Sequence, residues 1–325
     1  MRRFQSLLLV VGTLVFAETG SAHAQTNYPN RPLQLVVTVP PGGAADFVAR
    51  LIGAKLADAL GQPVVISNRG GAGGTTAAAS VAKSDPDGYT LLLNTIATHS
   101  IGPHIYASLP YDPEKDFSPL ILIAKLPLIM AINADVPAKS VKDVIALAKE
   151  RPGELTFCSA GTGGAPHLAG ELFKSLTETD LLHIPYRGSG PAVIDLVAGR
   201  ITMMFDATPS LLPFIKAGKL RALAAASPQR HPLLPNVSSF AELGYPGMDI
   251  ALWYGVVAPG GTPAPIVQRL NAELAKILDI PDIRKSLSDQ GANVQGGTAE
   301  DFSAFMRDES ARWGAVVKQA GIKPE

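Results

Sequence analysis

The sequence predicts an α/β protein of two domains, in which helices cover both faces of parallel sheets. Apolar strand segments alternate with amphipathic helical segments along most of the chain, an order typical of parallel sheets. Several strand segments are continuous apolar runs, as expected for strands buried on both faces. The chain has 325 residues, 46% of them hydrophobic, which is enough to form a sizeable core in two domains.

The N-terminus has the features of a targeting segment. Two arginines precede a short apolar stretch at residues 7–17, and the sequence AHA at 22–24 has the small-x-small pattern of a cleavage site. The stretch is shorter than the ~20 apolar residues needed to cross a bilayer. We therefore expect residues 1–24 to be a cleaved signal peptide and the mature protein, starting at Gln25, to be exported without a membrane anchor.

Charge and cysteine content exclude several classes of function. The chain carries 28 basic and 28 acidic residues with no long run of one sign, so a nucleic-acid or anionic-membrane surface is not expected. Cys158 is the only cysteine, which excludes an internal disulfide and a lipidated cysteine at the cleavage site. It follows apolar residues, so we interpret it as a buried structural thiol. The six histidines are scattered without metal-ligand spacing, and no metal or cofactor is expected.

The elements follow in order after a polar lead-in. Strands are predicted at residues 35–39, 64–67, 90–94, 120–123, 129–132, 155–158, 181–184, 201–205 and 220–226. Helices are predicted at 45–60, 76–83, 141–149, 166–176, 191–198 and 209–217. Pro166, Pro191 and Pro209 stand at helix starts, and Gly199 and Gly218 follow helix ends, in agreement with the preferences of these residues. Residues 229–249 break the alternation and lead back to the first domain through 253–257, before helices at 265–278, 280–290 and 299–321.

Two segments repeat one plan: an apolar strand, a glycine-rich turn and an amphipathic helix. They are residues 33–56 and 155–176. Such a junction directs unpaired backbone N–H groups and the positive end of a helix dipole at one point, which favours an anion. Ligands of open α/β sheets bind at the carboxyl ends of the strands, where both turns lie. We therefore predict that the two turns face each other and bind a small anionic molecule.

The first turn, PPGGAAD at residues 40–46, is the strongest candidate. Its predicted ligand contacts are Pro41, Gly42, Gly43, Ala44 and Asp46. The N–H groups would bind a carboxylate, and Asp46 would bind a ligand amine or an ordered water. Alternatively, Asp46 does not contact the ligand and is an acid that the helix dipole favours in the first turn of the helix.

The second turn contributes further candidates, which are Ser159, Ala160, Gly161, Gly163 and Gly164. His167 either donates to the ligand or packs in the first turn of the helix. Tyr186 offers a rigid donor if it faces the cleft. Asp206 ends a strand and either points to the cleft or caps the helix that follows.

Enzyme and nucleotide motifs are missing. The glycine stretch at 70–74 lacks the third glycine of a dinucleotide fingerprint, and the chain has no GxxxxGK[ST] loop. There is no GxSxG elbow, because Gly188-Ser189-Gly190 lacks the spacing. We therefore expect no catalytic residues. The alternatives that remain are an exported α/β hydrolase or a sensor-accessory binding protein that uses the same cleft.

Short motifs along the mature chain resemble those of the Bug or TctC receptors, the periplasmic solute-binding proteins of tripartite tricarboxylate transporters. The motifs include PGG at 41–43 with Asp46, GQPVV at 61–65, DGYT at 87–90, SAG at 159–161, PYRG at 185–188, GKLRAL at 218–223 and ELGYP at 242–246. Two positions depart from the family pattern: Gly164 stands where serine is frequent, and Gly70 where proline is frequent.

This resemblance implies a two-lobed binding protein of the type II, Venus-flytrap class, with mixed, mainly parallel sheets, no catalysis and no cofactor. Lobe 1 would comprise residues 25–124 and 251–325, and lobe 2 residues 125–250, with the ligand between them. Family members bind di- and tricarboxylates, amino acids or aromatic acids through the two turns and ordered water. They deliver the ligand to a two-component membrane permease. We expect a monomer in the periplasm.

Overall fold

The computed structural model describes residues 28–319 and 321, so the predicted signal peptide at 1–24 lies outside the described residues. The described part contains ten strands and ten α-helices. The strands are β1 (Leu33–Val37), β2 (Val64–Asn68), β3 (Thr90–Thr95), β4 (Phe117–Asn133), β5 (Thr156–Ser159), β6 (Leu182–Pro185), β7 (Met203–Ala207), β8 (Leu220–Ala226), β9 (Ala251–Pro259) and β10 (Asn293–Gly296). The helices are α1 (Ala44–Leu60), α2 (Thr75–Ala82), α3 (Gly102–Ile105), α4 (Val141–Glu150), α5 (Ala165–Thr177), α6 (Ser189–Val197), α7 (Thr208–Lys216), α8 (Ala264–Leu278), α9 (Pro281–Asp289) and α10 (Ala299–Gln319).

Local sequence explains where several helices begin and end. Helix α1 ends at Gly61, which adopts a left-handed conformation with φ of 66° and donates its N–H to the carbonyl of Ala57. Helix α4 begins at Ser140, whose side chain accepts the N–H of Asp143. Helix α5 has Pro166 in its first turn, where the missing N–H removes no helical hydrogen bond.

The strands form two sheets that share β4. In the first sheet the order is β2-β1-β3-β9-β4, with β10 on the other side of β4; in the second sheet β4 lies between β7 and β8, and β5 and β6 follow β7. The pairing of β4 with β9 ends at Pro127 and Ala251, and its pairing with β7 and β8 starts at Leu128. Each sheet with its helices forms one lobe: lobe 1 contains the first sheet and lobe 2 the second. The two-lobed α/β prediction is therefore confirmed.

The shared strand differs from the prediction of two short strands at 120–123 and 129–132. The observed strand contains Pro119 and Pro127, although proline lacks the N–H needed in the interior of a sheet. Both are tolerated here: a register shift follows Pro119, and Pro127 lies at the change from one sheet to the other. The sheets are also more antiparallel than the alternation of elements predicts, since every described pairing made by β4 and β9 is antiparallel.

The lobes are also joined outside the sheets. Helix α10 packs on β4 and α3 of lobe 1 and reaches α5 of lobe 2, where Gln319 Nε2 donates to Ser175 Oγ at 2.7 Å. His231, in the connection from β8 to β9, donates from Nε2 to the carbonyl of Gly291 at 3.2 Å and lies 2.8 Å from Thr208 Oγ1. Within residues 28–319 and 321, no helix has both the length and the apolar character that crossing a membrane requires.

Candidate ligand-binding site

The carboxyl ends of the parallel strands in the two lobes face each other across β4. Thr95, the last residue of β3, is in register with Tyr254 of β9, which is in register with Ala124 of β4. Ala207, the last residue of β7, is in register with Leu128 of β4. The two strand ends are thus four positions apart along β4, or about 13 Å at the usual rise of a strand. The loops that follow these strands therefore border one cleft.

Turn one, residues 40–46, follows β1 at this edge of lobe 1. Its residues from Pro40 to Gly43 are exposed and Ala44 is half-buried. Gly42 has a positive φ of 95°, and no atom lies within 4 Å of where a Cβ would stand on Gly42 or Gly43. No described side chain caps α1 at Gly43. The first N–H groups of α1 therefore face open space, where an anion would be favoured.

Asp46 is buried and stabilises turn one through three hydrogen bonds. Its Oδ2 accepts from the N–H of Gly42 and from Nε of Arg50, each at 3.0 Å, and its Oδ1 accepts from Nδ2 of Asn68 at 3.0 Å. The same Nδ2 of Asn68 also donates to the carbonyl of Val39 at 3.1 Å. The hydrogen bond from Arg50, followed by those from Gly42 and Asn68, lowers the pKa of Asp46. The carboxylate is thus bonded to its own turn, which favours the alternative of a structural acid over a direct ligand contact.

Turn two, residues 159–164, leaves lobe 2 after β5. Ser159 and Gly163 are buried, whereas Ala160, Gly161 and Gly164 are half-buried. Gly161 and Gly163 have φ of 147° and 75°, values that residues other than glycine rarely adopt. Gly164 is the N-cap residue of helix α5, again with no described side chain that caps the helix. Turn two therefore repeats the uncapped helix start of turn one on the opposite lobe.

Two histidines contact turn two from behind. Nδ1 of His167 accepts the N–H of Gly163 at 3.0 Å, and Nε2 of His183 lies 2.7 Å from Oγ of Ser159. His167 is buried beneath the turn. The sequence prediction included His167 but missed His183, which is 24 residues from Ser159 in the chain.

Tyr186 and Asp206 lie at the ends of the neighbouring strands. The hydroxyl of Tyr186 donates to Oδ2 of Asp195 at 2.6 Å, and burial followed by this hydrogen bond raises the pKa of Tyr186 to about 12. Asp206 is buried; its Oδ1 accepts the N–H of Ala207 at 2.8 Å, and its Oδ2 has no described partner with good hydrogen-bond geometry. Burial raises the pKa of Asp206, although interactions with the hydroxyls of Ser189 and Ser210 oppose the shift.

The glycine stretch at 70–74 and the end of α3 lie between the two turns. A Cβ on Gly70 would lie 3.0 Å from Cδ of Pro40, and a Cβ on Gly73 would lie 2.7 Å from the hydroxyl of Tyr106. The residue before Tyr106 is Ile105, which lies directly against Gly163 of turn two. Neither α3 nor the glycine stretch at 70–74 was predicted to contribute to the site, and both contact the turns that border it.

Two further cavities lie away from the turns. One of ≈ 140 Å³ is lined by His99 together with residues of the loop before β4 and of α10, and one of ≈ 350 Å³ lies between α7 and the end of α9. Neither includes a residue of turn one or turn two.

The two-lobed α/β fold is that of periplasmic binding proteins such as BugD, whose structure is 33% identical with a TM-score of 0.82, and comparison with known proteins identifies the family. The family model described as the tripartite tricarboxylate transporter family receptor, TctC, matches residues 48–322. The protein BugT of Bordetella pertussis is 39% identical over 321 residues, which are 98% of each chain. This chain belongs to the TctC, or Bug, family of receptors, as the sequence motifs predicted.

Solved structures agree with this assignment. The R. palustris protein Rpa4515, solved with adipate, is 39% identical with a TM-score of 0.86, and the match covers 92% of this chain and 100% of that chain. MatC from Rhodopseudomonas palustris, solved with bound malate, is 35% identical with a TM-score of 0.81, and the match covers 89% of this chain and 100% of that chain.

Proposed function

We propose that this receptor captures a small carboxylate between turn one and turn two and delivers it to the permease of a tripartite tricarboxylate transporter. The observation that carries the proposal is the pair of uncapped helix starts, at Gly43 and Gly164, on facing edges of the two sheets. Both present N–H groups and a positive helix end to a shared cleft. Two relatives of similar fold were solved with dicarboxylates, adipate and malate.

Recognition by neutral backbone donors fits the charges around the cleft. Arg50, the cation beside turn one, is bonded to Asp46, so its charge is partly balanced. Gly43, Ala44, Ala160 and Gly164 would donate backbone N–H groups to the ligand. The N–H groups of Gly42, Gly161 and Gly163 bond to Asp46, Ser159 and His167, so these glycines would line the site without donating, as would Pro41. Ser159 and His167 support turn two from behind. Specificity would then come from the geometry of the two turns, with ordered water completing the contacts.

Asp206 would take part through its free oxygen. A carboxyl with a raised pKa carries its proton to higher pH and can then donate a hydrogen bond to a ligand carboxylate. Tyr186 would contribute its ring face to the wall, because its hydroxyl is already bonded to Asp195.

Closure of the lobes on the ligand would occur around the shared strand. The change of β4 partners between Pro127 and Leu128 supports a first boundary three residues after the proposed 124/125, and the start of β9 at Ala251 supports the proposed 250/251. Closure favours the bound state only through contacts that the ligand makes with both lobes. The protein would act in the periplasm as a monomer without a cofactor.

A hydrolase is the rival function, and Ser159 with His183 is the pair that would support it. The hydroxyl of Ser159 donates to the carbonyl of Gly161 at 2.9 Å, so the imidazole must donate to the serine, the reverse of what a general base requires. Ser159 is also fully buried. Cys158 is buried too, and burial raises its pKa to about 12, which excludes a thiolate nucleophile. We therefore propose that the protein has no catalytic role.

A thermal-shift screen tests the proposal. The mature protein is heated with adipate, malate and citrate, and with adipamide and malamide as neutral analogues of matched shape. A ligand at 100 times its Kd adds about 2.7 kcal/mol to the stability of the folded state. We expect a shift with at least one carboxylate and none with its amide. Equal shifts with acid and amide, or no shift with any carboxylate, would contradict an anion site.

A transport assay separates delivery to a permease from a role as a sensor accessory. Deletion of the coding gene should abolish uptake of the bound carboxylate, and expression of the full chain should restore it. Unchanged uptake with altered gene expression would favour the sensor alternative.

A further inference from the structure

Turn two rests on two stacked imidazoles. The rings of His167, on α5, and His183, on β6, have centroids 3.9 Å apart and an interplanar angle of 22°. The ring of Phe157 of β5 also stacks on both imidazoles, with its centroid 4.8 Å from that of His183 and 6.3 Å from that of His167. The histidines therefore form a compact pair between the helix and the sheet, directly below the glycines of turn two.

The hydrogen bond of His167 fixes its protonation. A backbone N–H is always a donor, so Nδ1 of His167 must present a lone pair to Gly163 at 3.0 Å. The ring proton is then on Nε2, which faces Oε1 of Glu171 at 3.8 Å. Full protonation of His167 would place a second donor against the N–H of Gly163 and break this bond.

The hydrogen bonds of Ser159 determine that Nε2 of His183 carries a proton. The hydroxyl proton of Ser159 goes to the carbonyl of Gly161 at 2.9 Å, and its oxygen also accepts the N–H of Gly161 at 3.3 Å. Nε2 of His183, at 2.7 Å, must therefore donate. His183 thus positions Ser159, and through it Gly161, while His167 positions Gly163.

We propose that His167 and His183 are positioning residues that maintain the ligand-binding shape of turn two only while both imidazoles are neutral, so that acidification lowers the affinity for the carboxylate. This inference rests on the proposed function. It adds a pH-dependent control of the same site, with His183 as a residue that the binding role alone did not identify.

The surroundings of the pair determine the direction of the effect. Among the described residues, the charged groups placed against it include Glu171 and Lys174, both on α5, and the neighbouring ring of Phe157 is apolar. Burial, followed by the neighbouring His167 and Lys174, lowers the pKa of His183 to about 4. A histidine whose pKa in the folded turn is below its usual value of about 6.5 favours that turn at higher pH. The formed turn is therefore fully favoured above pH 6.5 and is disfavoured progressively as the pH falls towards 4.

Calorimetry of a matched pair of proteins tests the proposal. Adipate, with malate as the second probe, is titrated into the mature wild type and into the double variant His167→Asn/His183→Gln between pH 7.5 and 5.0. The asparagine oxygen can accept the N–H of Gly163, and the glutamine amide can donate to Ser159, but neither side chain titrates. Below pH 6.5 we expect the affinity of the wild type to fall by up to about tenfold per pH unit more than that of the double variant, with each profile referred to its own affinity at pH 7.5.

Protonation of adipate itself affects binding to both proteins equally. A difference between the two pH profiles therefore reports the protonation of the imidazoles. Superimposable pH profiles would overturn the inference while leaving the proposed function intact. Failure of both probes to bind the wild type at pH 7.5 would contradict the proposed function and the inference together. The variant His167→Ala should bind more weakly at every pH, and His167→Asn should restore binding at pH 7.5.

A measurement on the wild type keeps the test valid if the double variant does not fold. Nitrogen chemical shifts of the two imidazoles report their protonation directly. With adipate bound at pH 7.5, both rings should be neutral with the proton of His167 on Nε2. Protonated rings in that complex, or rings that stay neutral while affinity falls at low pH, would contradict the proposal.

Discussion

Ile105 and Gly163 bring the two lobes into direct contact: a Cβ added to Gly163 would overlap with Cδ1 of Ile105. Ile105 ends α3 in lobe 1, and Gly163 lies in turn two of lobe 2. Both residues are buried, and Gly163 has a positive φ of 75°. The approach of the lobes therefore depends on the absence of a side chain at this single position of turn two.

The variant Gly163→Ala should bind carboxylates at least tenfold more weakly than the wild type. The methyl group meets Ile105, and alanine at a positive φ adds about 1–2 kcal/mol of backbone strain. The double variant Gly163→Ala/Ile105→Ala should recover part of the affinity, because it removes the overlap but not the strain. Calorimetry with adipate measures both, and an unchanged affinity in Gly163→Ala would show that the contact does not matter for binding.

The variant Gly43→Val should lose ligand binding without loss of cooperative unfolding. Gly43 has φ of −90° and ψ of 177°, which any residue can adopt, and no atom lies within 4 Å of an added Cβ. The new side chain would therefore occupy the space in front of the helix start, where we place the carboxylate. Gly247→Ala is the control, since its Cβ would make an ordinary contact of 3.6 Å with Leu176. Retained affinity in Gly43→Val would remove turn one from the site.

Much of the fold could be predicted from apolar runs and from the glycines, prolines and polar segments that bound them. Strand β8 has the bounds predicted, because the run at 220–226 stands between Gly218 and a polar segment. Strand β4 could not be predicted as one strand, because Pro119 and Pro127 are tolerated only through its neighbours in two sheets. Strand β10 was missed, since its four residues, NVQG, carry almost no apolar pattern.

The positions of the two turns followed from the sequence, but the partners of their side chains did not. Glycines between a strand and a helix indicate a turn locally. Asn68 beside Asp46, His183 beside Ser159 and Ile105 beside Gly163 are separated by 22, 24 and 58 residues, and no local pattern connects them. The contacts that shape the site are therefore set by the tertiary fold.

The variant Asp46→Ala should be less stable by about 1–3 kcal/mol at pH 7, because three hydrogen-bond donors lose a buried charged acceptor. The pKa of Asp46 is lowered in the folded state, so its contribution is present above the unfolded value of about 3.8 and is lost as pH falls through the folded value. The stability difference from the wild type should therefore shrink below pH 4. Urea unfolding at pH 7 and pH 3.5 measures it.

Asp58→Ala provides the control for Asp46, because Asp58 is an exposed acid on the same helix, 3.6 Å from Lys55. Its removal should change stability by less than about 0.5 kcal/mol. A similar small change in Asp46→Ala would mean that the three hydrogen bonds do not stabilise turn one.

The variant Asp206→Asn should be more stable than the wild type at pH 7.5. The pKa of Asp206 is raised in the folded state by burial, so the unfolded chain releases this proton first as pH rises. The wild type then loses up to about 1.4 kcal/mol per pH unit between the unfolded and the folded pKa, and an asparagine does not. Melting temperatures from pH 4 to 8 should therefore diverge with increasing pH.

Asp195→Asn is the control of opposite sign, since hydrogen bonds from Tyr186 and Arg200 lower the pKa of Asp195. Its removal should reduce stability at pH 7.5.

Affinity separates the role of Asp206 in binding from its role in stability: Asp206→Asn should retain adipate binding, because the amide donates where the protonated carboxyl did, and Asp206→Ala should weaken it. Equal affinities in both variants would place Asp206 outside the ligand contacts, because only one of them keeps a hydrogen-bond donor at the end of β7.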